Sequence, residues 1–452
     1  SYNIPCPLLL GEGAAAAAGV EGTPTILDRA RLWSTGVPST SGLRATFSRQ
    51  EKAWGCIFLA LRQNNVFEKG EIHTMYYKNA RIYCSDFRFH QGAFQVENGV
   101  FGEVLPQNVP EEAVDLGGAT VIPGLVEVHS HGALDADFSD GDYDGLVKMA
   151  RFYASQGITS FAPASMTLPY DVLAKAYENA ARLKANPVAG ASVLRGINME
   201  GPYFSYKKRG AQNPAYLKDP DFEGFQKLWE DCGGLIKIVD LAPELPGAVE
   251  FTARAKDLAT VSVAHTDCTY DQAKAVFDAG ATHLTHMFNA MPGIHHRNPG
   301  VIPAAAENPK VRAELICDGI HVHPAAVRLV FAAFGAERMI LISDSGRCAG
   351  LPEGSHVIQG GLDCWLKGGV ARLADDTIAS SATNLWHCLQ NVLSWGIPEE
   401  TAIRAASYNP AQAIGADKEV GSIETGKRAD FVVCSKDYTE KTVYIGGVKV
   451  TE

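Results

Sequence analysis

Six residues of this chain have side chains suited to hold divalent metal ions: His129, His131, Glu200, His265, His286 and Asp344. Imidazole nitrogens combined with carboxylate oxygens form a borderline donor set that suits Zn²⁺ or a similar divalent ion. His129 and His131 close the apolar run Gly124-Leu125-Val126-Glu127-Val128. Residues two apart on a strand face the same way, so both imidazoles reach one ion. Glu200 ends the run LRGINME, and the Gly201-Pro202 turn behind it fixes its direction. His265 ends TVSVAH and His286 ends HLTH, with a helical stretch between them. Asp344 ends MILISD, where a carboxylate can take a proton from water activated by a metal. Each residue alone has an ordinary alternative: a loop histidine, an exposed glutamate, a helix-capping aspartate. Their common place at the ends of apolar runs argues for one site.

The elements that must position these residues follow a regular rhythm. Short β-branched runs recur as ATVIPGLVEVHSH, ITSFAPAS, LRGINMEG, IKIVDLAPE, TVSVAHT, HLTHMFN, AELICDGIH and MILISDS. Segments such as YDVLAKAYENAARLKA, YDQAKAVFDAG and HPAAVRLVFAAFG separate them, with apolar residues at helical spacing. Alternating strand and helix implies α/β architecture with a parallel sheet and right-handed crossovers. Eight such units predict a closed (β/α)₈ TIM-type barrel. An open doubly wound sheet is the rival, but no GxGxxG loop follows any of the runs. In a barrel the chemistry sits at the C-terminal strand ends. That is where His129, His131, Glu200, His265, His286 and Asp344 fall, with His321 just after the seventh run.

The flanks differ from the middle. MYYKNARIYCSDFRF and GAFQVENGVFGEV read as short strands, and so does RADFVVCSKDYTEKTVYIGGVKV near the other end. The expected organisation is a small discontinuous β-sandwich domain formed by 75–122 and 420–452, with the barrel over 123–419. Residues 1–74 contain no methionine, the first being Met75, and lack periodicity; a non-native or disordered leader is expected there. The run Glu68-Lys69-Gly70-Glu71 can be encoded by purine-rich DNA resembling a ribosome-binding site, so translated upstream DNA is the favoured reading of that leader.

A net charge of −11 argues against a general nucleic-acid binder but allows a small anionic substrate at a local cation. The ten cysteines form no CxxC pair and read as buried thiols. No apolar run reaches the roughly 20 residues that span a bilayer. A cytoplasmic protein without membrane contact is expected.

From Met75 onward the chain resembles the N-acetylglucosamine-6-phosphate deacetylases of the amidohydrolase superfamily. The stretches that match are PGLVEVHSHG, MEGPYFS, AHTDCTYDQAKAVFDAGATHLTHMFNAMP, RNPG, CDGIHVH and LISDS. The resemblance implies that Glu200, His265 and His286 are the main metal ligands and Asp344 the general acid/base. It implies that His321 contacts the amide or its oxyanion, that Asn289 and Ala290 contact the sugar phosphate, and that Arg297 binds the phosphate. A homodimer is expected, because in this family a neighbouring subunit can help complete the site. Family members lacking the strand-one histidines hold one metal. With His129 and His131 both present, this chain resembles the two-metal type bridged by Glu200, with zinc expected and iron, manganese or cobalt as alternatives. Lys237 lies too early in IKIVDLAPE to serve as a carboxylated bridging lysine.

Two positions depart from the pattern: Gln212 stands where some members have a substrate-binding histidine, and Ser380 where relatives often have glycine. Both bear on which sugar is taken. N-acetylgalactosamine-6-phosphate deacetylase and D-aminoacylase-like hydrolase are the alternative activities. A non-catalytic assembly barrel is the alternative of another class, and the full ligand set argues against it. His295 and His296 read as polar loop residues.

Overall fold

The structure is a computed structural model and describes residues 74–451. The expectation for a leader falls on 1–73, outside the described residues, while Thr74 already opens a strand, Thr74–Tyr83. Eight strands form the barrel, numbered here one to eight: Leu125–Glu127, Ile158–Phe161, Ile197–Tyr203, Ile236–Leu241, Thr260–Val263, His283–Leu284, Arg312–Ile316 and Met339–Ile342. Strands three to eight run parallel in order, and strand one pairs with strand two. Strand two joins strand three through the bridge Ala164↔Asn198. Strand eight closes on strand one, with Asp344 N donating to His129 O at 2.9 Å and His131 N to Ser345 O at 2.7 Å. Strands one, two, three and eight are buried along their whole length, as expected of parallel strands covered on both faces.

Seven helices follow strands one to seven in turn, from Tyr143–Ser155 to Pro324–Phe334, and Leu385–Ser394 comes after strand eight. The helix Tyr170–Ala185 coincides with the periodic stretch read from sequence and buries Leu173, Ala176, Tyr177, Ala180 and Leu183. Removing one such leucine side chain costs about 2–5 kcal/mol. Among the described residues, no helix is long and apolar enough to cross a membrane.

The second, smaller domain is built from both ends of the described chain. Its eight-stranded sheet pairs Phe431–Cys434 with Thr120–Pro123, which in turn pairs with Thr74–Tyr83. Tyr77, Phe94, Phe101 and Phe431 form its aromatic core. Arg81 grips Glu399 of the helix Glu399–Ala406 with two hydrogen bonds of 2.8 and 2.7 Å, tying this sheet to the barrel.

Two features depart from the sequence reading. The run ATVIPGLVEV is not one strand: Thr120–Pro123 belongs to the end sheet and Leu125–Glu127 to the barrel. Gly124 makes the crossing, where a Cβ would overlap the Thr159 side chain. Apolar residues on both sides of the crossing hide it from a periodicity argument. The second feature is a four-stranded antiparallel insertion after strand eight: His356–Gln359, Leu362–Lys367, Val370–Arg372 and Ile378–Ser381. It is attached to the rim where Ser381 N donates to Asp344 O at 2.9 Å.

Candidate metal centre and active site

Glu200 stands at the centre of the rim. Gly201 follows it at φ 97°, and a Cβ there would overlap the Thr167 side chain, so only glycine lets the chain turn there. Glu200 Oε1 lies 3.1 Å from His265 Nε2, 3.0 Å from His286 Nε2 and 3.5 Å from His129 Nε2. Its Oε2 lies 3.2 Å from His131 Nε2. Asp344 Oδ1 reaches His131 Nε2 at 3.4 Å and His129 Nε2 at 3.8 Å. All six expected ligand residues therefore converge, from strand ends one, three, five, six and eight.

The donor set fits a divalent ion. His129, Glu200 and His286 offer ligand atoms within 4.8 Å of one another, and so do His129, His131 and Asp344. His129 Nε2 is fully buried and has no hydrogen-bond partner. Such an atom calls for an explanation in a folded protein, and a cation between it and the two carboxylates supplies one. The outer nitrogens are oriented to match. His131 Nδ1 faces the Ala164 carbonyl at 3.1 Å, and His265 Nδ1 faces the Lys208 carbonyl at 2.9 Å. A carbonyl only accepts, so Nδ1 carries the proton and Nε2 keeps a lone pair for the centre.

The charges are strongly coupled. Burial alone would raise the Glu200 pKa, but the facing His129 and His131 hold it well below the usual carboxylate range. Burial likewise opposes ionisation of Asp344, and His131 and His129 overcome it. In return, despite burial, the His129 pKa is held well above the ordinary imidazole value by Glu314 and Glu200, and that of His131 by Glu200 and Asp344. A metal ion entering this site must displace those protons.

The backbone under these residues is strained. His265, His286 and Asp344 have φ of 42°, 27° and 48°. Non-glycine residues at positive φ cost roughly 1–3 kcal/mol each and cluster at functional sites.

A cavity of about 320 Å³ opens above the centre, lined on its walls by Met166, Gly210, Gln212, Asn289, Ala290 and His321. Thr377, Ile378 and Ala379 of the insertion complete it. His321 is fixed by Asp318, which accepts from its Nδ1 at 2.6 Å and from its backbone N at 2.9 Å. Burial would lower the His321 pKa, but the Asp318 contact outweighs it and keeps the value raised. That favours the imidazolium, whose Nε2–H is a donor.

Gln212 and Arg297 sit differently from what substrate contacts alone would require. Gln212 lines the cavity but holds protein groups: its Nε2 donates to Glu200 Oε2 at 2.8 Å, and its Oε1 accepts from Thr167 N at 2.8 Å. Arg297 is exposed beside His296, with Nη1 2.6 Å from His296 Nε2, and is not among the residues lining the cavity. His295 and His296 are exposed on the same loop. Lys237 donates to the Gly234 carbonyl at 2.8 Å near the start of strand four, the end of the strand away from the ligands. Ser380 is buried and donates to Gln359 Oε1 at 3.1 Å, one residue from the cavity wall.

Sequence reasoning missed a layer of polar residues below the ligands: Glu127, Asn198, Asp240, His283 and Glu314, all nearly or fully buried. The signal was present as charged residues inside apolar runs, such as Glu314 in AELICDGIH, since such residues are almost never fully buried unless paired.

Residues 120–450 match the amidohydrolase family, and the chain belongs to it. Its relatives within that family include deacetylases of N-acetylated amino-sugar phosphates. The chain is 37% identical to N-acetylglucosamine-6-phosphate deacetylase of Bacillus subtilis (strain 168), over 71% of this chain and 81% of that one. It is 32% identical to N-acetylgalactosamine-6-phosphate deacetylase of Escherichia coli O157:H7, over 78% and 93%. Among solved structures it superposes on a variant N-acetyl-D-glucosamine-6-phosphate deacetylase of Mycobacterium smegmatis in complex with N-acetyl-D-glucosamine-6-phosphate. That match has a TM-score of 0.78 and 30% identity, covering 85% of this chain and 100% of the other.

Proposed function

We propose that this chain hydrolyses the acetamide of N-acetyl-D-glucosamine 6-phosphate, giving glucosamine 6-phosphate and acetate. The observation that carries this reading is the convergence of Glu200, Asp344 and four histidines at the floor of a cavity of sugar-phosphate size. His129, His131, Glu200, His265, His286 and Asp344 would hold two divalent ions, with zinc favoured. Such ions, when bound, polarise the carbonyl and lower the pKa of water toward about 7. Asp344 takes the proton of the attacking water and returns it to the leaving nitrogen. His321, oriented by Asp318 at 2.6 Å from its Nδ1 and with its imidazolium form favoured by that contact, donates to the carbonyl oxygen as negative charge develops there. Asn289 and Ala290 hold the sugar phosphate. Gln212 steadies Glu200 and edges the substrate.

Arg297, exposed in one chain, supplies the phosphate contact across the interface of a homodimer. A cytoplasmic reaction goes with this reading, because a phosphorylated amino sugar does not cross membranes unaided.

N-acetylgalactosamine 6-phosphate is the second reading, favoured by a relative of which the chain covers 93%. The test is acetate release from a panel of N-acetylhexosamine 6-phosphates and their phosphate-free forms, with metal content measured on the same sample. Preferential release from the glucosamine compound is expected. Equal rates without phosphate would remove Arg297 from its role, and no release from any member after metal supplementation would overturn the activity.

A further inference from the structure

Below the ligand ring, strand seven carries Glu314, a carboxylate with 0% exposure in the barrel interior. An unpaired charge there would be costly enough that the group would neutralise instead. Here the adjacent strand six and, across the barrel interior, strand one supply the partners. Oε2 accepts from His129 Nδ1 at 2.9 Å and from the His286 backbone N at 3.2 Å. Oε1 accepts from His283 Nε2 at 2.9 Å. One carboxylate thus joins the strand-one ligand, the backbone of the strand-six ligand and a histidine earlier in strand six.

The contact with His129 decides a competition. Asn198 Nδ2 lies 3.4 Å from the same His129 Nδ1 and also donates to the Val128 carbonyl at 3.1 Å. An amide N–H can only donate. Were Asn198 the partner, His129 would hold its proton on Nε2 and turn that proton toward Glu200 and Asp344. A carboxylate can only accept. With Glu314 as partner the proton stays on Nδ1, and the Nε2 lone pair is free for a metal. The shorter, charge-assisted contact wins.

We infer that Glu314 is a positioning residue for the metal centre: it selects the His129 tautomer that offers Nε2 as a ligand, with His283 anchoring its other oxygen. The inference rests on the metal-dependent reading of the site. Outer partners of this kind govern metal affinity by about 10–100-fold.

The experiment compares Glu314→Gln and Glu314→Ala with the wild-type chain. Zn²⁺ stoichiometry and affinity are measured by chelator competition, and melting temperature is measured with chelator present. Asp240→Asn is the control, because Asp240 is a buried acid of the same layer that accepts a hydrogen bond from Thr285 Oγ1 at 3.1 Å and does not contact His129 Nδ1. The expected result is about a 10–100-fold loss of affinity for one of the two ions in both Glu314 variants. The ion held by Glu200, His265 and His286 stays, the metal-free melting temperature of Glu314→Gln is near wild type, and Asp240→Asn binds metal normally. Wild-type affinity in both Glu314 variants, a metal loss matched by unfolding of the metal-free chain, or an equal loss in Asp240→Asn overturns the inference. Wild-type protein that takes up no Zn²⁺ overturns the metal reading itself.

Discussion

At the barrel rim, His265, His286 and Asp344 sit at positive φ, and His129 Nε2 is buried without a hydrogen bond. In the end sheet, Tyr77 stacks on Phe94 with ring centroids 4.9 Å apart, and Phe431 on Tyr444 at 4.4 Å. Both regions are buried, yet the first concentrates strain and converging charge while the second satisfies packing. The difference shows that burial here serves two ends. At the rim it removes water from charged groups and makes them responsive to a ligand. In the sheet it supplies stability that offsets the strain held elsewhere.

That contrast makes the two regions separable by mutation. Asp344→Asn carries the largest expected effect: a loss of about 10²–10⁴-fold in kcat, as for removal of a general acid/base, without loss of fold. Near-normal turnover in that variant, with circular dichroism unchanged, would remove Asp344 from proton transfer. Phe431→Ala is expected to do the reverse. Its ring is fully buried against Tyr77, Phe94 and Phe101, so the loss is about 3–5 kcal/mol of stability, read by denaturant unfolding. Turnover per folded molecule should be unchanged, and a matching drop in kcat would tie the sheet to the chemistry.

A smaller effect tests the joint between sheet and barrel. Burial raises the Glu399 pKa, but its hydrogen bonds with Arg81 and Tyr438 outweigh that and lower it. A depressed carboxylate contributes stability above its unfolded pKa, and that contribution is lost as pH falls through the lower folded value. Wild type should exceed Glu399→Gln by about 1 kcal/mol at pH 7. The gap should start to close near about pH 4, where a free glutamate protonates, and vanish only below the lower folded value. A gap that persists in acid would assign the stabilisation to packing instead.

Much of the rim was legible in the sequence because strand ends follow apolar runs. His129, His131, Glu200, His265, His286 and Asp344 each end or abut such a run, and they do converge. The exact place of the crossing, at Gly124 and not between 122 and 123, was not legible, because Val121, Ile122, Leu125 and Val126 are all apolar though they serve two sheets. The insertion was missed despite the alternating burial of Leu362–Lys367, since its strands are short and sit inside an expected barrel region. Glu314 passed unnoticed because periodicity reads a strand's apolar residues, while its meaning depends on His129 and His283 from other strands.

The insertion has one further consequence. Of the elements outside the (β/α)₈ repeat, it is the one whose Thr377, Ile378 and Ala379 face the substrate cavity, and none of the six metal-binding candidates lies within it. Selection for a new sugar can therefore act on residues 377–379 while Ser381, whose N–H holds the Asp344 carbonyl, and the hydrolytic floor are left as they are. Grafting this segment between deacetylases should move substrate preference as a heritable module, with the hydrolytic step inherited separately from the barrel.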